Sequence, residues 1–89
     1  MNRLPVEIGS VVVSKAGRDQ GRRFLVVGVV DDDFVMIANG GLRGMDRQKK
    51  KRRKHLKPTG QVVQALADRL ANGPKVQDHE VRAWLREEE

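Results

Sequence analysis

The sequence predicts a small, mainly β domain that ends in two helices, and three observations lead there. Valine-rich runs in the first half are separated by Gly-, Asp- and Asn-containing breaks, the pattern of short strands joined by turns. From residue 61 the apolar spacing lengthens, with Val62, Leu66 and Leu70 recurring every fourth residue, which is helical. The chain has 89 residues, enough for one domain and too few for two.

Taken in order, residues 8–14 read as a strand with Val11 and Val13 on one face. Residues 15–21 form a loop bracketed by Gly17 and Gly21, which supply positive φ. Residues 22–30 are the longest strand, residues 31–33 a polar turn and residues 34–38 the next strand. Asn39-Gly40-Gly41 predicts a type I′ hairpin turn, with a short fourth strand at residues 42–45. The long strand is apolar on both faces: Phe24, Leu25, Val26, Val27, Val29 and Val30 do not alternate with polar residues. Something must therefore cover its second face, either barrel closure or a helix laid across the sheet. Residues 45–58 read as a loop or a short strand that orders with its partner, ended by Pro58-Thr59-Gly60. A helix is expected over residues 61–71, stopped by Asn72-Gly73-Pro74 with glycine at C′. Asp78 is the expected N-cap of a second helix carrying Val81, Trp84 and Leu85, whose last turn should fray because three glutamates oppose the helix dipole.

Charge is the informative quantity. Lys and Arg total 18 against 12 Asp and Glu, a net charge of +6. Eight of the basic residues lie between positions 47 and 57 with no acid among them: Arg47, Lys49, Lys50, Lys51, Arg52, Arg53, Lys54 and Lys57. The remainder then holds 10 basic and 12 acidic residues, or −2. One concentrated cationic segment on a mildly acidic domain points to a polyanionic partner.

Other chemistry is poorly supported. There are no cysteines, which excludes disulfides, thiolate metal sites and a cysteine nucleophile. Asp31, Asp32 and Asp33 read as a turn and not a metal site, and His55 and His79 have no ligand partner at helical spacing. No nucleophile–base pair or phosphate-binding P-loop is present, so no enzymatic activity is expected. Gly41-Leu42-Arg43-Gly44 spells the GXXG of KH domains but lies among strands, where a KH loop joins helices. The run at residues 49–54 also spells a nuclear localisation signal, a spelling common in RNA-binding proteins without that role. Aromatics make up 3% of the chain with no tyrosine, so shape and phosphate contacts should outweigh base stacking. No apolar stretch is long enough to be a signal peptide or a membrane span. A cytoplasmic protein is expected, with no membrane partner, small-molecule substrate, cofactor or metal.

The valine strand at residues 9–14, the Gly17-Arg18-Asp19-Gln20-Gly21 loop and the strand that follows resemble the KOW motif. The likeness runs on through Asp32, Phe34-Val35, Ile37, Asn39-Gly40 and Leu42-Arg43 to Lys49-Lys50-Lys51 and Lys54-His55-Leu56, covering residues 8–57. It is greatest to the small bacterial KOW-domain RNA-binding proteins, which are similar to KOW-containing large-subunit ribosomal proteins of archaea and eukaryotes. Asn39 departs from the acidic residue expected before the glycine, and the helical C-terminus lies outside the resemblance. The resemblance implies an SH3-like β-barrel and RNA binding, with the loop between the first two motif strands at the barrel mouth. On that reading residues 1–46 are the barrel, 47–58 a basic RNA-binding segment and 59–89 a helical extension. The expected partner is structured RNA, ribosomal RNA foremost, with ribosomal proteins beside it. Lys15, Arg18, Arg22, Arg23 and Arg43 would contact RNA around the loop. His55 would join the eight basic residues of the segment, and Gly17, Asp19 and Gly21 would shape the loop. The alternative is a KOW-type protein-interaction module in translation or transcription.

Overall fold

The computed structural model describes residues 6–86. Five strands form one antiparallel sheet: β1 (Ser10–Ser14), β2 (Arg23–Val29), β3 (Phe34–Ala38), β4 (Lys49–Arg52) and β5 (Leu56–Val62), in the order β4-β3-β2-β1-β5. A 3-10 turn, Arg53–His55, joins the two edge strands, and helices α1 (Gln64–Asn72) and α2 (Asp78–Arg86) follow. The architecture is mainly β with C-terminal helices, a small SH3-like β-barrel type.

The two-faced apolar strand explains the layering. Phe24 and Val26 of β2 join Val12, Val35, Ile37 and Leu56 inside the curled sheet, with Val6 packed against them. Leu25 and Val27 point the other way and form a second core with Val11, Ala38, Leu66, Val76 and Val81. Trp84, Leu85 and Val63 pack on that second core half-buried. The helices thus cover the outer face of the barrel, as the lack of alternation in β2 requires.

The structure corrects several local expectations. Residues 42–45 are not a strand, and Asn39-Gly40-Gly41 is not a type I′ turn, because only Gly40 of the two central residues has positive φ, +76°. Instead the Asn39 carboxamide oxygen accepts the N–H groups of Gly41 at 2.9 Å and Arg43 at 3.0 Å and closes a wider loop. That loop docks on α2. The Asp78 carboxylate accepts the Met45 N–H at 2.7 Å, and Arg82 donates to the Gly40 carbonyl. Asp78 is consequently the first residue of α2 and not its cap. Glu80 instead reaches back to the Gln77 N–H at 3.1 Å, the returning half of a capping box.

The basic segment is ordered within the sheet, and the barrel extends beyond residue 46 to include β4 and β5. Pro58 does not end anything. It pairs opposite Val12, tolerated because β5 is an edge strand that needs no N–H there. A bulge follows, with Gly60 at φ +94°, and β5 pairs with β1 again at Val62 opposite Ser10. The helix therefore begins at Gln64, later than expected, and Val62 is an exposed strand residue. Leu70 is 40% exposed, so only Leu66 of the expected stripe is fully buried. Gly73 closes α1 with φ −104° and not in the left-handed region. Arg69 covers it, donating through Nη2 to Glu80 Oε1 at 2.9 Å and to the Lys75 carbonyl at 3.1 Å, which fastens α1 to α2. The expected fraying at residues 87–89 lies outside the described residues.

Candidate nucleic-acid interface

The loop of residues 15–21 projects from the β1–β2 hairpin. Gly17 at φ +78° and Gly21 at φ +85° turn the chain, as expected. Backbone bonds close it: Gly21 N–H to the Ser14 carbonyl at 2.8 Å and Arg22 N–H to the Asp19 carbonyl at 2.9 Å. Two cations of β4 then hold it down. Lys49 Nζ meets Asp19 Oδ2 at 2.8 Å, and Lys51 Nζ donates to the Ala16 carbonyl at 3.1 Å. Asp19 is nearly buried, and its carboxyl lies below the ordinary carboxylate value. The hydrogen bond from Lys49 causes this, against burial that pushes the value up, with the charges of Arg43 and Lys51 adding to Lys49's. Strand register explains why these two lysines and no others reach the loop. Lys49 is opposite Ile37 and Lys51 opposite Val35, so both share the face of those barrel-interior residues.

Lys50 and Arg52 take the opposite face. There Lys50 Nζ lies 4.6 Å from the Phe34 ring centroid and Arg52 Cζ 4.8 Å from it, both within cation–π range. Both side chains remain exposed. Arg53 is tied inward: it donates to the Val6 carbonyl, to the Asp31 carbonyl at 3.3 Å and through its backbone N–H to the Asp33 carbonyl at 2.8 Å. Arg43 is half-buried, and its Nε has no hydrogen-bond partner among the described residues. His55 is also half-buried, and burial, followed by repulsion from Lys54, Lys51, Arg52 and Lys15, holds its pKa below the usual histidine value.

The residues grouped by sequence as one cationic surface therefore separate. Lys49, Lys51 and Arg53 build the fold, and Arg23 and Arg43 are half-buried. Lys15, Arg18, Arg22, Arg47, Lys50, Arg52, Lys54 and Lys57 are exposed. The Lys15 N–H bonds to the His55 carbonyl at 2.8 Å, joining the loop to the 3-10 turn. Beside that junction lies an open groove of about 780 Å³. Lys15, Arg52, Arg53, Lys54 and Lys57 line it together with Val6, Leu56 and Pro58. Asp32 and Asp33 complete the lining. From sequence the aspartates read as a turn only, and the Phe34 pair went unseen. The period-two spacing of Lys50 and Arg52 was the available signal for the latter. Among the described residues there is no group of three His, Cys, Asp or Glu able to hold a metal ion, and no helix is long and apolar enough to cross a membrane.

No family model matches the chain. It is 39% identical over 59 residues to the large ribosomal subunit protein eL14 of Desulfurococcus amylolyticus, across 65% of this chain and 60% of that protein. It is 35% identical over 60 residues to eL14 of Staphylothermus marinus, with the same two coverages. The match to eL14 of Metallosphaera sedula is 29% identical over 85 residues, across 93% of this chain and 79% of the relative. That third match takes in the helices, which the KOW resemblance left out. The chain spans about 60% of the length of the first two relatives. Its homologues are archaeal eL14 proteins of the large ribosomal subunit, at 29–39% identity.

Proposed function

We propose that the chain is a ribosome-associated, non-catalytic RNA-binding protein of the cytoplasm, a member of the small bacterial KOW branch. It docks on structured ribosomal RNA through backbone phosphates, with neighbouring ribosomal proteins as further partners. One observation carries the reading: exposed cations crowd one end of the barrel on backbone that is already fixed. Lys15, Arg18 and Arg22 lie on a loop clamped by Lys49 and Lys51, and Lys54 and Lys57 flank it. Pre-ordered cations bind phosphates without the entropy cost of ordering a free tail. The likeness to large-subunit ribosomal proteins supports the same partner.

Salt dependence is the test. Of the eight basic residues in the segment, Lys49, Lys51 and Arg53 are engaged internally. The exposed cations crowding the barrel end number five: Lys15, Arg18, Arg22, Lys54 and Lys57. Neutralising five phosphates gives a slope of log K against log salt of about −3.5 to −4.5. Filter binding of a structured ribosomal RNA fragment between low and moderate salt measures it. A slope near zero refutes phosphate docking.

A further inference from the structure

The groove at the barrel end has a composition that phosphate docking alone does not explain. Phosphate needs cations and backbone N–H groups. It does not need apolar lining, and two carboxylates in the same groove are a cost. Yet this groove has all three kinds of lining. Its cations are on the loop, β4, the 3-10 turn and β5. Val6, Leu56 and Pro58 are its apolar lining, and Asp32 and Asp33 its acidic lining.

The aspartates are not there to build the turn. Asp31 does that, its Oδ1 accepting the N–H groups of Asp33 at 2.8 Å and Phe34 at 2.9 Å. Arg53 fixes the turn from below through the Asp31 and Asp33 carbonyls, leaving their side-chain carboxylates untouched. Asp32 and Asp33 are both exposed and make no ion pair within 4.0 Å among the described residues. An ionised carboxylate only accepts hydrogen bonds. Two acceptors, three apolar side chains and exposed cations sharing one groove complement a nucleotide: the base face on the apolar side chains, an N–H₂ edge on the carboxylates, the phosphates on Lys15, Lys54 and Lys57. The volume, about 780 Å³, falls within the roughly 300–1,000 Å³ of small-ligand sites.

We infer that this groove receives an unpaired nucleotide whose base presents an exocyclic amino group, and that Asp32 and Asp33 select it. Cytosine meets that requirement, since a carboxylate accepts from its N4 amino group. Uracil carries a carbonyl oxygen at the same place and is repelled. The inference rests on the RNA-binding reading and adds a specificity to it.

The test uses the full chain and three probes: a hexamer of cytidine, a hexamer of uridine and a fully paired RNA duplex. Binding is measured for wild type and for the double variant Asp32→Asn, Asp33→Asn. Both aspartates are exposed and Asp31 holds the turn, so the variant should melt as wild type does. Wild type should prefer the cytidine hexamer to the uridine hexamer by about tenfold, the worth of one good base-edge contact. The variant should lose that preference while binding the duplex more tightly, because two negative charges are gone. If wild type binds all three probes but does not distinguish the two hexamers, the inference fails and phosphate docking stands. It fails in the same way if the variant binds all three more tightly by one common factor, since the carboxylates then only repel. If none of the probes binds at low salt, both the inference and the RNA-binding reading fall.

Discussion

Replacing Lys49 by methionine separates a cation that builds the fold from one that meets a partner. The variant keeps an unbranched side chain of similar length and removes only the ammonium. Asp19, whose side chain is 6% exposed, then loses the donor 2.8 Å away. Losing a charge-assisted hydrogen bond to a nearly buried carboxylate costs about 1–3 kcal/mol. In a domain of this size 1 kcal/mol shifts the melting temperature by about 4–8 °C, so the variant should melt roughly 5–20 °C lower near neutral pH. The effect has a pH signature. The hydrogen bond from Lys49 holds the Asp19 carboxyl below its ordinary 3.8. A depressed carboxyl pKa contributes stability that is complete above the unfolded value and is lost as pH falls through the folded one. The gap between wild type and variant should therefore be full at neutrality and close below about pH 4. Circular dichroism melts across that range measure it, and filter binding well below the melting temperature should return an unchanged salt slope. A melting temperature equal to wild type at pH 7 would refute the clamp. A slope shallower by about 0.9 on an intact fold would make Lys49 a phosphate contact after all.

Gly40→Ala should detach the 39–45 loop from α2, because its Cβ would lie 2.5 Å from the Asp78 carbonyl oxygen and 2.8 Å from Arg82 Cγ at φ +76°. Backbone strain alone costs about 1–3 kcal/mol, whereas Gly41→Ala, whose Cβ meets only Asn39 Oδ1 at 3.7 Å, should melt like wild type; equal melting of the two variants would contradict the docking. Truncation after Gly60 removes Leu66, Val76 and Val81 and uncovers Val11, Leu25 and Val27, side chains worth about 1.5–3 kcal/mol each when buried. The product should aggregate or melt much lower in ultracentrifugation and calorimetry, and a soluble monomer with unchanged melting would make the helices a separate arm. Arg18→Ala should weaken binding of structured RNA by roughly 1 kcal/mol or more at constant melting temperature, and unchanged affinity at low salt would put the RNA surface elsewhere. Gly21→Val should lower stability through its φ of +85° alone, because open space surrounds the position; an unaltered melt would show that the loop relaxes.

Sequence alone determined the elements whose cause is local. Strands β1, β2 and β3 follow from valine-rich runs between turn residues, and Gly17 and Gly21 from a loop that must reverse direction. The need for a second covering layer was equally legible, because Phe24 to Val27 are apolar without alternation and every buried side chain needs a neighbour. Tertiary structure decided what depends on pairing between distant residues. The hairpin expected at Asn39-Gly40 became an Asn-closed loop because α2 offers Asp78 and Arg82 to it from about 40 residues away. Pro58 continues a strand because β5 happens to be an edge. Above all, a run of like charges does not reveal which of its members face inward. Lys49 and Lys51 turn toward Asp19 and Ala16, and Lys50 and Arg52 toward Phe34. That alternation comes from the register of β4 on β3, and a cation acquires its role from the carboxylate, carbonyl or ring that the register sets opposite it.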